Sequence, residues 1–328
     1  MNGTKMRLKS SILLGLLCLF PFFAASCSIN RMAINAVSNA LTGTGSADVF
    51  TTDNDPELVG AALPFAIKMY ETLLSQNPNH QGLLLTTGSL FVMYANAFVQ
   101  GPAEMLDPVD FYHERRIALD RAKRLYLRGH DILNTAMEKR FSGFSASRAD
   151  DGSLQALLRR ARRADVPLLY WTAASGLAAY SIDVFDFVLG ASIPKWKIMM
   201  ARAYELYPDF NNGAINEFYI LFYASLPPHM GGDMAQAEVH FRRAVERTGG
   251  LAAGPFVSYA WVVYRPAQDF YAFRDYMERA LAIDVDENPS IRLVNILAQR
   301  RARHLLDYAH LHFSCQPWPG EWDWDDDF

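Results

Sequence analysis

The chain has 328 residues, 51% of them hydrophobic and 20% charged, with a formal charge of -4. A chain of this composition buries a sizeable core, which excludes a disordered or collagen-like polymer, and it lacks the dominant basic block that a nucleic-acid partner requires. Its length suits two domains or one long helical array.

Lys5, Arg7 and Lys9 precede an apolar run from Ile12 to Ala25, the charged and hydrophobic parts of a secretory signal. That run falls short of the roughly 20 residues that span a bilayer. It ends in Ala24-Ala25-Ser26-Cys27, the small-residue pattern of a bacterial lipobox with Ala24 in place of the usual Leu. The expectation is a signal peptide over residues 1–26, acylation of Cys27 and a tether over 27–52; an ordinary signal cut near Ala25 or an uncleaved anchor are the alternatives. Cys18 leaves with the signal and Cys315 stands alone, so no intramolecular disulfide is expected in the mature chain. Beyond the lipid, no cofactor is expected, and the lipid would hold a soluble body at a membrane surface.

Residues 28–42 read as a short helix or tether and Gly43-Thr44-Gly45-Ser46 as a break. Asp53-Asn54-Asp55-Pro56-Glu57 has the cap, early Pro and acidic first turn of a helix start. From Leu58 to Phe313 apolar residues recur at three-and-four spacing, so the fold class is all-α, a single domain over 53–313 followed by an aromatic-acidic tail over 314–328.

Within that array a spacing recurs in which a small or large apolar residue is followed four and seven positions later by others, as in the second helix of a tetratricopeptide repeat. It runs through Ala66-Tyr70-Leu73, Ala122-Tyr126-Gly129, Trp196-Met200-Ala203, Ala237-Phe241-Ala244 and Phe273-Met277-Ala280. Uneven intervals between these segments predict degenerate helical hairpins, about four to five, with long excursions near 100–114 and 135–165. A last helix over Ile291 to Phe313 would cap the stack. An irregular bundle with chance spacing is the alternative.

In a tetratricopeptide frame the first-helix groove positions are Leu85, Ser89, Val92 and Met93, then Ile215, Tyr219, Phe222 and Tyr223, then Phe256, Ala260, Val263 and Tyr264. This predicts a mostly apolar groove with phenol handles, suited to a hydrophobic ligand or an apolar partner segment; any one of these residues could equally serve the core. His304, His310 and His312 lack the spacing for a shared ion on a helix, and Asp53-Asn54-Asp55 lacks the later calcium ligands, so no metal site is expected. No nucleophile elbow, phosphate loop or dinucleotide fingerprint occurs, and the chain is read as a non-enzyme. The runs Arg159-Arg160-x-Arg162-Arg163 and Arg300-Arg301-x-Arg303 read as solvated faces or as contacts to acidic partners or lipid headgroups. Trp318, Trp322 and Trp324 in the tail could anchor in a groove.

Three stretches, Asp55-Pro56-Glu57-Leu58-Val59 with Leu63 to Lys68, Arg121 to Gly129, and Asp165 to Thr172, together resemble the TatT lipoproteins, tetratricopeptide-containing companions of TRAP transporters. The resemblance implies a periplasm-facing, membrane-tethered homotrimer that docks the TRAP-type substrate-binding protein and handles a hydrophobic small ligand. It brings Tyr170 and Trp171, inside the third stretch, into the candidate groove set. The alternative function is an envelope-biogenesis lipoprotein that scaffolds an outer-membrane assembly complex.

Overall fold

The computed structural model describes residues 35–42 and 48–314. The expected signal, the acylated Cys27, Cys315 and the tryptophan-rich tail lie outside the described residues. Every regular element among the described residues is helical. After a helix at 35–41 and a single turn, Asp48–Thr51, come α1 (Pro56–Gln76), α2 (Gln81–Ala95), α3 (Tyr112–Arg140), α4 (Asp151–Leu158), α5 (Val166–Ile182) and α6 (Ile193–Leu206). They are followed by α7 (Ala214–Ser225), α8 (Met234–Arg247), α9 (Gly254–Tyr259), α10 (Phe270–Leu281) and α11 (Arg292–Asp307).

Side-chain caps set many of the starts. Asp55 Oδ1 accepts the Leu58 N–H at 2.9 Å with Pro56 in the first turn, as the sequence predicts. Asp150, Asp233 and Asp269 cap α4, α8 and α10 in the same way. Asn211, Asn212 and Gly213 all adopt positive φ between α6 and α7, a turn that Asn and Gly tolerate far better than β-branched residues.

The elements differ by face. Helices α2, α5 and α9 carry no charged residue, whereas α8 and α10 present one apolar stripe and one charged face. Each charge-free helix packs beside an amphipathic neighbour, α2 on α3, α5 on α3 and α6, and α9 on α10. The recurring small and large residues are the buried ones: Ala122, Tyr126, Trp196, Met200, Ala203, Ala237, Phe241, Ala244, Phe273, Met277 and Ala280, with Gly129. In the first segment only Tyr70 is fully inside, and Ala66 and Leu73 are partly exposed. By length and composition Pro56–Gln76 and Gln81–Glu104 could cross a membrane; here each buries one face against other helices.

Two close approaches lock the stack. A Cβ on Gly129 would lie 2.8 Å from the Gly88 carbonyl oxygen, and one on Gly88 would lie 2.5 Å from Leu133 Cγ, so α2 and α3 touch backbone to backbone. At Gly176 the missing Cβ makes room for the Trp196 indole, which would otherwise be 2.3 Å away.

The second excursion is shorter than the spacing predicts and the first, over 96–111, is not. The first begins with a π-helical stretch, Asn96–Gln100, and one further turn, Gly101–Glu104. The second starts only after Arg140, because α3 continues to that residue, and it returns to α3 through Arg140 Nε and Nη2, which donate to the two Asp165 oxygens at 2.6 and 2.8 Å. Phe141, Phe144, Leu154 and Leu158 of this segment are core. The last α-helix spans Arg292–Asp307, narrower than Ile291 to Phe313, and a 3-10 turn over Ala309–Leu311 follows it.

The chain ends meet. Helix α11 packs on α1 and on Asp48–Thr51, Arg300 Nη2 donates to Glu57 at 3.1 Å and Arg292 Nη1 to the Thr52 carbonyl at 3.0 Å. Leu293 joins the core of α1 and α2. Gly129→Ala should therefore destabilise by about 1–3 kcal/mol through overpacking, while Gly190→Ala, whose Cβ would meet only Tyr180 at 3.5 Å, should change stability by under about 0.5 kcal/mol. Chemical denaturation followed by circular dichroism checks the contrast.

Candidate functional site

The groove residues split between core and partly open positions. Ser89, Val92, Ile215 and Phe256 are buried, whereas Leu85, Met93, Tyr170, Trp171, Tyr219, Phe222, Tyr223 and Tyr264 are half-buried. Tyr219 and Tyr223 turn toward α8, where their rings stack on His240 at 4.7 and 5.7 Å, and Tyr204 of α6 meets Tyr219 at 5.5 Å. Phe222 stacks on Phe218 at 5.8 Å with the Lys197 ammonium 4.8 Å from its ring. Tyr170 touches Trp171 and Phe210 at 5.1 and 5.2 Å. Phe256 and Tyr264 pack instead on Phe241, Tyr259 and Tyr276. The structure thus gathers the α7 aromatics into one cluster and assigns Phe256 and Tyr264 to another.

A buried acid lies between α7 and α9. Glu217 Oε1 accepts the Ser258 hydroxyl at 2.8 Å, and burial raises its carboxyl above the usual range. Glu217 also helps to raise the Tyr170 phenol, behind the larger effect of burial.

Two inner histidines are held neutral. His130 sits 5.6 Å from the Trp196 ring, with Nδ1 3.1 Å from the Thr172 carbonyl, and burial pushes it down to about 4. His240 Nδ1 lies 2.8 Å from Asn216 Oδ1 and is pushed down to about 4, again by burial first and then by Arg243.

Sequence reasoning missed one recess. A cavity of about 310 Å³ opens where Glu104–Arg115 faces α11 and the Trp261–Arg265 turn, with Arg115, Arg265, Arg301, Trp261, His304 and His312 in its wall. The arginine run at 300–303 was its one visible signal. In the structure Arg300 pairs with Glu57 and Arg301 with Glu104 at 3.2 Å, acids of this same chain. Among the described residues no group of three or more His, Cys, Asp or Glu could hold a metal ion.

Apolar side chains are exposed at several places outside the recess, among them Val109, Phe111, Tyr112 and Ile117 at the start of α3 and two further groups. Leu58, Phe65 and Met69 form an open stripe on α1. The turn between α5 and α6 exposes Val184, Phe185, Phe187 and Val188, with Phe187 at 89%. That turn is clamped, since Lys123 Nζ bonds Asp183 at 2.8 Å and Asp186 at 2.9 Å, and Asp186 also caps the next helical turn.

The family model described as TRAP transporter T-component matches residues 52–313, and the chain belongs to that family. An uncharacterized protein of Treponema pallidum (strain Nichols) is 34% identical over 314 residues, covering 90% of this chain and 97% of its own. The chain is accordingly a component associated with a TRAP transporter.

The neutral histidines generate a pH test. An unfolded chain takes up protons near 6.5 and the folded one only near 4, so their contribution is full above pH 6.5 and is lost as pH falls toward 4, about 3 kcal/mol for each ring. Unfolding free energies measured from pH 7 to pH 4 should fall steeply for the parent and less steeply for His130→Gln.

Proposed function

We propose that this protein is a lipid-anchored, periplasm-facing scaffold that docks the substrate-binding protein of a TRAP transporter, assembles as a homotrimer and assists the uptake of a hydrophobic ligand. Its helical hairpins act as tetratricopeptide-like units, and Cys27 carries the lipid that keeps the body at the membrane. Family membership over residues 52–313 supports the transporter association. The observation that carries the docking role is the clamped apolar turn at Val184–Val188. A loop that exposes two phenylalanines while its backbone is fixed by Lys123 keeps most of its ordering cost inside the fold, which leaves more of the contact energy for a partner. The α1 stripe at Leu58, Phe65 and Met69 is a second surface of the same kind and serves contacts between copies.

Sedimentation of residues 28–328, alone and mixed with the TRAP-type substrate-binding protein, tests this reading. The expected result is a trimer that shifts to a larger stoichiometric complex, with Phe187→Ser weakening the complex by about tenfold or more, the effect of removing one aromatic anchor. A monomer indifferent to that protein would overturn it in favour of the envelope-assembly scaffold.

A further inference from the structure

We infer that the cavity between the Glu104–Arg115 segment and α11 is a binding site for a carboxylate carried on a small apolar body. Three observations converge on it. The first is unmatched positive charge. Arg115 Nε is buried and has no hydrogen-bond partner, and Arg115 forms no ion pair among the described residues. Among the described residues the Arg265 side chain donates only to the Trp261 carbonyl, at 3.2 Å, and lies 4.0 Å from the indole ring. Of the cavity's carboxylates, Glu104 is engaged by Arg301, and Asp107 accepts the backbone N–H groups of Val109 and Asp110 at 2.7 and 3.0 Å. Two guanidinium groups thus face one enclosed space without an acid of their own. A buried guanidinium with an unfilled donor costs free energy that a planar carboxylate, which accepts its paired N–H donors, would recover.

The second observation is the effect on neighbours. His312, on the same wall 5.0 Å from Trp261, is held below the ordinary imidazole range by burial first and then by the charges of Arg265, His304 and His310. Burial likewise lowers Arg265 itself. The wall holds Arg115, Arg265 and Arg301 against Glu104 and Asp107, a formal excess of positive charge that an entering anion offsets.

The third is shape. The volume of about 310 Å³ is at the small end of ligand pockets. Trp261, Leu305, Met105 and Leu106 supply apolar lining beside the arginines. A short aliphatic or aromatic acid fits this combination; a neutral hydrocarbon leaves the arginines unpaired. The site is independent of the docking surface at Val184–Val188, so either reading can fail alone.

The same carboxylate chemistry has a second source within the chain, because Glu321, Asp323, Asp325, Asp326 and Asp327 follow the helix that forms the wall. Calorimetric titration of the mature full-length chain with hexanoate and with 1-hexanol, at constant ionic strength, tests the inference. A parallel variant has those five acids changed to Gln or Asn. Hexanoate should bind and hexanol should not, and Arg115→Gln and Arg265→Gln should each weaken hexanoate by about tenfold or more while retaining a cooperative thermal transition. Binding to the parent identifies a free acid as the occupant. Binding only to the tail variant identifies the chain's own acidic segment, with the carboxylate site upheld. Equal binding of the alcohol, affinity unchanged by Arg115→Gln and Arg265→Gln in folded protein, or no binding to either chain would overturn it.

Discussion

The architecture depends on how closely α2 and α3 approach each other. With glycine at 88 and 129, the Gly88 carbonyl comes within contact distance of the Gly129 α-carbon, and any side chain on either residue meets backbone or Leu133. That spacing brings the facing side chains into full burial, including Leu133, Ala136 and Met137 on the α3 side and Leu84 and Val92 on the α2 side. Gly176 repeats the device in another form, since its bare backbone admits the Trp196 ring edge. Close-packed interiors resist even one added methyl group, so these two crossings set the angles from which the later helices follow.

From those crossings the chain curves until its last helix reaches its first. The closure is partly apolar, through Leu293 in the core of α1 and α2, and partly ionic, through Arg300 with Glu57 and Arg301 with Glu104. Exposed ion pairs of this sort contribute little individually, so the apolar contact supplies most of the closure energy and the arginines fix its register. One consequence is the recess at Arg115, Arg265 and Trp261, which exists only because the two ends are joined. The apolar surface left outside includes the α1 stripe, the clamped Val184–Val188 turn and the start of α3 at Val109, Phe111, Tyr112 and Ile117.

Much of the fold was legible before any coordinates. The helix start at Asp55-Pro56, the all-helical class and the buried register from Ala122 to Ala280 follow from spacing and cap chemistry. Excursion lengths were less legible, because the end of α3 is held by the Arg140–Asp165 clamp across 25 residues as well as by the local turn at Gly143, whose N–H donates to Glu138. The groove residues were legible only as a set. Periodicity places Ile215, Tyr219 and Tyr223 on related faces of α7, but it cannot say that His240 of α8 fills the space beside them. The cavity arginines escaped notice, since Arg115 and Arg265 carry no local signature and become neighbours through closure alone.

The sequence by itself determined the helical periodicity and the small residues that permit close crossings, because each is written in neighbours within one or two turns. Only the tertiary structure decided which half-buried aromatics share a cluster, which arginines are spent on the chain's own acids and which are left facing an enclosed space. The charge outcomes depend on residues more than a hundred positions apart, as in Arg300 with Glu57 and Arg301 with Glu104, and distance in sequence says nothing about their balance until the stack has closed.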